Sequence, residues 1–318
     1  SLGSMIGSVF RGNSTFLPNK PFNPIARSTR PGLAEALGSA NAKRESVMSE
    51  RDQYVLGYRL AEQERLQQQA QQLAQESNLL FDQIGVRPGA RVVELGCGPH
   101  GCLEILAERV GSSGTVVGVE RSQDAVDLAR KLIGERGLKN VEVLCRDARS
   151  TELPRASFDL ATARLVLVNI PEPQEIVAEA VALVRPGGFV AFHEADWIAH
   201  VCDPPSDAWS TLVDLFVRYP EKNGVDPFIG RKLPRLLRDA GLVDVRVDPL
   251  IHVYPPGHGR RSILLDFTEN LSERILAEKL IGGRELADLK TALQRHIDNP
   301  GTLVVSHLFF QAWGTKRG

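Results

Sequence analysis

The sequence holds no apolar run approaching the length of a bilayer span, so it offers no candidate transmembrane helix. Net charge is also nearly absent: 38 Lys and Arg against 39 Asp and Glu leave −1. The basic footprint of a nucleic-acid binder is missing, which argues against nucleic acid as a partner. Cysteine is scarce. Cys97, Cys102, Cys145 and Cys202 lack paired C-x-x-C spacing, which speaks against zinc or any other metal site and for a reduced, cytoplasmic setting. Three of them near one turn allow a thiol or arsenic-binding reading, but small buried hydrophobes are the simpler account. No internal repeat is present. What is there, 42% hydrophobic and 24% charged residues over 318 positions, suits a soluble globule with one core and additions.

The stretch that organises the rest is Val92–Gly101, VVELGCGPHG. Two β-branched residues lead to Glu94, and Gly96, Gly98 and Gly101 follow in G-x-G-x-x-G spacing. Glycine there lets a strand turn sharply into a helix and lets backbone approach a ligand closely. Nicotinamide and flavin sites use the same spacing. Glu94 separates the readings. A pyrophosphate at the helix N-terminus would be repelled by a carboxylate two residues before the first glycine, whereas ammonium and sulfonium charges would be attracted.

In ELGCGPHG the chain resembles the class I S-adenosylmethionine (SAM)-dependent methyltransferases, whose first motif has this acid and these glycines. The following residues keep the pattern. A strand over Arg91–Leu95 and a helix over Leu103–Val110 flank the turn, and a second strand, Thr115–Val119, ends in Glu120. An acid at that distance reaches ribose hydroxyls in both NAD and SAM folds. Ser122 caps a helix. Strand three, Val141–Cys145, is followed by Asp147, which the resemblance assigns to the adenine amine. Strand four covers Phe158–Ala163, a helix Glu172–Val184, and an Arg-Pro-Gly-Gly turn opens strand five, Phe189–Glu194. The resemblance covers Val86–Asp196 and implies an α/β fold: a doubly wound, seven-stranded, mostly parallel sheet of Rossmann-like type. Beyond it, Phe228–Ala240 reads as a core helix, Val243–Tyr254 as strand six, and Leu303–Trp313 as one continuous buried strand seven.

Three regions follow. Residues 1–50, whose first five resemble a cloning remnant, are expected to form an arm, basic and proline-rich, packing on a second subunit, with a transit peptide as the alternative. Residues 51–85 read as an N-terminal cap helix with an apolar stripe including Leu66, Ala70, Leu73 and Leu80. Residues 86–318 form the methyltransferase domain, with helical lid insertions near 198–227 and 256–300.

Open α/β sheets bind ligands at the carboxyl ends of their strands. The resemblance therefore implies a SAM site made of Tyr58, Glu94, Gly96, Cys97, Gly98, His100, Gly101, Glu120, Arg121, Asp147, Ala148, Arg164 and Leu165. If the acceptor must lose a proton, His193, Glu194 and Asp196 are the candidate bases, and Tyr54, Trp197 and His200 the candidate acceptor contacts. His252, His296 and His307 read as structural. No Asn/Asp-Pro-Pro-aromatic run follows strand four, which removes the nucleic-acid and protein-amide methyltransferases. The expectation is a methyltransferase acting on a small-molecule acceptor of secondary metabolism. The alternatives are a SAM-binding module or cyclase that transfers no methyl, and an NAD-dependent oxidoreductase.

Overall fold

A computed structural model describes residues 66 and 69–318. The expected arm over residues 1–50, and Tyr54 and Tyr58, lie outside the described residues. Helix α1 (Ala74–Ile84) buries Ser77, Leu80, Phe81 and Ile84 and stops at Gly85, whose left-handed conformation lets its N–H bond back to the last turn. Then the strand–helix alternation begins. It runs through β1 (Arg91–Leu95), α2 (Leu103–Val110), β2 (Thr115–Glu120), α3 (Gln123–Glu135), β3 (Val141–Cys145), β4 (Phe158–Arg164), α4 (Pro173–Leu183) and β5 (Val184–Asp196). Ser122 caps α3 by accepting the Ala125 N–H at 3.4 Å, as its position predicts.

The main sheet has seven strands in the order β3-β2-β1-β4-β5-β9-β7, where β7 is Leu242–Leu250 and β9 is Leu308–Lys316. β1 to β5 are parallel, and β9 runs antiparallel to both neighbours. Helices cover both faces. One core gathers α4 and α6 (Leu233–Asp239) on β4 and β5, and another gathers α1, α2 and α3 on β1 and β2. The expected doubly wound sheet is the observed one.

Three elements differ from expectation. The stretch Phe228–Ala240 is a short 3-10 turn, Gly230–Lys232, followed by only the seven residues of α6. Strand six ends at Leu250, four residues before Tyr254. Strand seven is broken. Ser306 leaves the ladder, its hydroxyl accepting the His252 N–H at 2.9 Å and donating to the His307 carbonyl at 2.6 Å. The residues before the break, β8 (Leu303–Val305), pair instead with β6 (Val201–Asp203) in a separate two-stranded sheet. Continuous apolarity in LVVSHLFFQAW hid the break, since a buried strand and two short buried strands read alike.

The segments after β5 and after β7 pack on each other. Helices α5 (Asp207–Lys222), α7 (Ile263–Ala277) and α8 (Gly283–Asp298) share a core of their own, including Trp209, Leu212, Phe216, Leu271 and Leu293. Arg261 ties it together: buried, it donates to the carbonyls of Tyr254 (2.8 Å), Ile297 (2.7 Å), Asn299 (3.2 Å) and Thr302 (2.5 Å). Among the described residues, no helix is long and apolar enough to cross a membrane.

Candidate active site

All three glycines of the β1–α2 turn take left-handed backbone, with φ of 66° at Gly96, 57° at Gly98 and 51° at Gly101. At two of them a side chain would also collide. A Cβ on Gly96 would lie 2.7 Å from Val166 Cγ2, and one on Gly101 would lie 2.6 Å from Glu94 Oε2. The turn thus closes around the Glu94 carboxylate, which is buried and accepts the Cys102 N–H at 2.8 and 2.9 Å. Burial pushes the Glu94 carboxyl up to about 7, against the pull of the Arg164 guanidinium and the Cys102 N–H. Arg164, ending β4, reaches across the turn and donates to the Gly101 carbonyl and the Ser77 hydroxyl, both at 2.9 Å. It fastens α1 to the glycine turn.

Glu120 ends β2 with its carboxylate held by backbone donors, Gly98 N at 3.1 Å and Ser122 N at 2.8 Å, with the Arg121 N–H beside them. Two oxygens offer about four lone-pair sites, so some acceptor capacity remains. Burial raises its pKa against these same bonds. Asp147 is differently placed. Arg149 grips its carboxylate, with Nη2 at 2.7 Å and its backbone N at 2.8 Å, and holds its pKa below the usual range.

A cleft of about 140 Å³ opens at the carboxyl ends of these strands. Glu94, Gly96, Cys97, Gly98 and Gly101 line it from the turn, Glu120 and Arg121 from β2, and Asp147, Ala148, Arg164 and Leu165 from β3 and β4. His100 does not. Its ring lies by the first turn of α2, with Nε2 3.8 Å from Glu104 Oε2 and 3.5 Å from Arg136 Nη1.

A second cavity, about 60 Å³, shares Gln69, Leu165 and Asn169 with the first. Trp197, Phe216 and Phe267 supply aromatic walls, and Arg260 and His307 line it as well. Trp197, the candidate acceptor contact, is one of its lining residues. His200 lines neither cavity. It stacks on Trp197 at 4.7 Å, and burial lowers it to about 3.

The three candidate bases line neither cavity. Glu194 holds the loop after β4 from inside: its carboxylate accepts the N–H groups of Val166, Leu167 and Val168 at 3.0, 2.9 and 3.1 Å. That loop carries Leu165, whose φ of 56° is uncommon for a residue with a branched side chain and which borders both cavities. Burial pushes Glu194 up to about 8 against those three donors. Asp196 is engaged by Arg231, with Nε and Nη2 each at 2.5 Å. His193 packs edge-on to Phe309 and is lowered to about 3 by burial. The alternation of β5 sets Glu194 and Asp196 on one face as expected, but that face meets the loop and the 3-10 turn rather than an open pocket.

Sequence reasoning missed Arg260, His307, Phe216 and Phe267. They come from segments far apart in the chain that only the packing of α5, α7 and the β8–β9 break brings together. Among the described residues, no group of His, Cys, Asp and Glu could hold a metal ion.

Comparison with known proteins bears on the family and the fold. Residues 87–241 match the family described as methyltransferase domain. An uncharacterised transposon-encoded protein of Streptomyces fradiae is 35% identical over 192 residues, 59% of this chain and 53% of that one. An aklanonic acid methyltransferase of a Streptomyces species is 31% identical over 140 residues, 39% of this chain and 64% of that one. The chain thus spans about half to two-thirds of the length of these curated relatives. Among solved structures, a phosphoethanolamine N-methyltransferase of Haemonchus contortus superposes with a TM-score of 0.50 at 17% identity, over 76% of this chain and 53% of that one. That likeness concerns the fold.

Proposed function

We propose that the chain, whose residues 87–241 match a methyltransferase domain, is a class I SAM-dependent methyltransferase that transfers a methyl group from SAM to a small-molecule acceptor of secondary metabolism. The observation that carries the reading is the first cleft. Gly96 and Gly101 of its glycine turn have no room for side chains, and Glu120 presents a buried, acceptor-only carboxylate beside Gly98. These groups fit a nucleoside whose ribose hydroxyls donate and whose charges are positive; a pyrophosphate would meet Glu94 and Glu120 instead.

When bound, SAM supplies an electrophilic methyl group on a sulfonium centre. The chain's own residues then have positioning work. Glu120 holds the ribose diol, the turn from Gly96 to Gly101 lets backbone approach, and Arg164 locks that turn to α1 so the cleft keeps its shape. Asp147 meets the adenine amine only when Arg149 yields part of its grip. Leu165 and Asn169 stand where the two cavities meet, so an acceptor in the second faces the cofactor in the first. The packed helices α5, α7 and α8 exclude water from that junction and act as the lid. The match to an aklanonic acid methyltransferase supports a small-molecule acceptor. The arm over residues 1–50 is proposed to join copies of the chain, and a sedimentation mass of one chain would contradict this.

The test is a crystal grown with S-adenosylhomocysteine. Density for the nucleoside should lie in the first cleft with its ribose on Glu120. Density elsewhere, or a nucleoside reversed in the cleft, would refute the assignment.

A further inference from the structure

The loop after β4 is held from several sides. Leu165 takes left-handed backbone at φ 56°, a state that persists in a residue with a side chain only where its surroundings over-determine it, most often at functional sites. Those surroundings are the buried Glu194 carboxylate, whose two oxygens accept the N–H groups of Val166, Leu167 and Val168. A 3-10 turn, Leu167–Asn169, follows directly, and the Asn169 N–H donates back to the Val166 carbonyl at 3.0 Å. What this frame presents is the Asn169 side chain, which lines both the cofactor cleft and the second cavity.

The partner of that amide settles which way it points. Nδ2 donates to the Leu165 carbonyl at 2.8 Å, and a carbonyl only accepts, so the nitrogen faces the loop and the oxygen faces away from it. Among the described residues nothing donates to Oδ1, and the atom is not sealed from solvent. An oxygen that can only accept therefore stands, in a fixed direction, where the two cavities meet. The second cavity, about 60 Å³, has room for a group of roughly four to six non-hydrogen atoms. Leu165, Val168, Ala195 and Leu271 also line it, and their side chains offer a polar guest no hydrogen bond.

Resting on the methyl-transfer reading above, we propose that Asn169 selects the acceptor. Its Oδ1 takes a hydrogen bond from the hydroxyl or amino group that receives the methyl, so the site favours an acceptor bearing O–H or N–H over a carboxylate or an ether. The amide oxygen does not remove that hydrogen. It orients the group, leaving a lone pair of the same oxygen or nitrogen for the methyl in the adjoining cleft. A guest without the hydrogen strips water from Oδ1 and returns nothing, and a site built for a donor rejects the analogue that lacks one on that account.

The probes are small enough for the cavity. sec-Butanol and isopropyl methyl ether are isomers that differ in whether the oxygen carries a hydrogen; sec-butylamine and isobutyrate add an ammonium and a carboxylate. Each is titrated by ligand-observed NMR into the full chain with and without S-adenosylhomocysteine, whose own binding is followed by calorimetry. The alcohol and the amine should bind at least about fivefold tighter than the ether, and the carboxylate no tighter than the ether. Asn169→Leu, which keeps the shape and removes the oxygen, should bring alcohol and ether to within about twofold of each other. Asn169→Asp, which restores an acceptor, should return the preference to about fivefold or more. An alcohol that binds the parent chain no tighter than the ether overturns the assignment, and this comparison decides the matter even if Asn169→Leu does not fold. A preference that survives Asn169→Leu in a chain that still binds the nucleoside overturns it as well. Isobutyrate binding as tightly as the alcohol moves recognition to the Arg260 guanidinium, with the same consequence. Failure of the nucleoside to bind, while the alcohol keeps its preference, refutes the methyl-transfer reading and leaves the role of Asn169 in binding standing.

Discussion

Replacing Gly101 by alanine tests how tightly the glycine turn is built around Glu94. At φ of 51° the new residue must hold left-handed backbone, which costs about 1–2 kcal/mol for an L side chain. Its Cβ would also fall 2.6 and 2.7 Å from the two Glu94 oxygens and 2.7 Å from the Cys97 carbonyl. Neither neighbour is the loose end of a flexible chain: one is a buried carboxylate and the other is backbone. Relief requires the carboxylate to leave the Cys102 N–H, and a hydrogen bond to a charged group contributes about 1.5–3 kcal/mol. The sum is a loss of about 2.5–5 kcal/mol. Gly137→Ala is the matched control, since Gly137 has a φ of 66° and nothing within 4 Å of its would-be Cβ. It should lose only the backbone contribution, about 1–2 kcal/mol. Urea unfolding followed by tryptophan fluorescence reads both, with the buried Trp313 reporting on the sheet. Equal destabilisation by the two substitutions would show that the turn does not close on Glu94, and the reasoning would fail.

Three further outcomes are expected. Glu120→Gln should weaken S-adenosylhomocysteine binding about 5- to 30-fold in calorimetry, because charge-assisted bonds to the ribose become neutral ones about half as strong; unchanged affinity would remove Glu120 from the ribose site. Glu94 is raised to about 7 in the fold, so the native state holds a proton that the unfolded chain gives up near 4.5. Its contribution to stability is present below 4.5 and lost as pH rises to 7, so Glu94→Gln should gain on the parent chain between those values, by up to about 3 kcal/mol in paired urea titrations; a constant difference across that window would contradict it. Arg261→Met should loosen the helical cap by about 2–4 kcal/mol, since buried carbonyls lose their donor, and hydrogen exchange should quicken in α7 and α8 more than in β1 and β4; uniform quickening would argue against a separate cap core.

Much of the sheet was legible because its signals are local. The β-branched run before Glu94, the positive-φ glycines and the Ser122 cap each specify their own conformation, and the strands that follow repeat at regular spacing. The acids at strand ends were legible for the same reason: topology alone sends Glu94, Glu120 and Asp147 to one cleft. What the sequence hid depends on partners elsewhere. His193, Glu194 and Asp196 look like a catalytic cluster by spacing, yet Glu194 is consumed by three loop N–H groups and Asp196 by Arg231, which no local pattern announces. His307 was hidden by an apolar stretch that reads as one strand, and only the Ser306 bond to His252 reveals the break. Arg149 on Asp147 is likewise a contact that spacing could have suggested but that the resemblance to a family pattern obscured.

The whole account rests on which nucleotide-like ligand the first cleft accepts. Calorimetric titration of the full chain with S-adenosylhomocysteine, and separately with NADH, decides it. Saturable one-to-one binding of S-adenosylhomocysteine with no heat from NADH is the predicted result; binding of NADH with indifference to S-adenosylhomocysteine would contradict it.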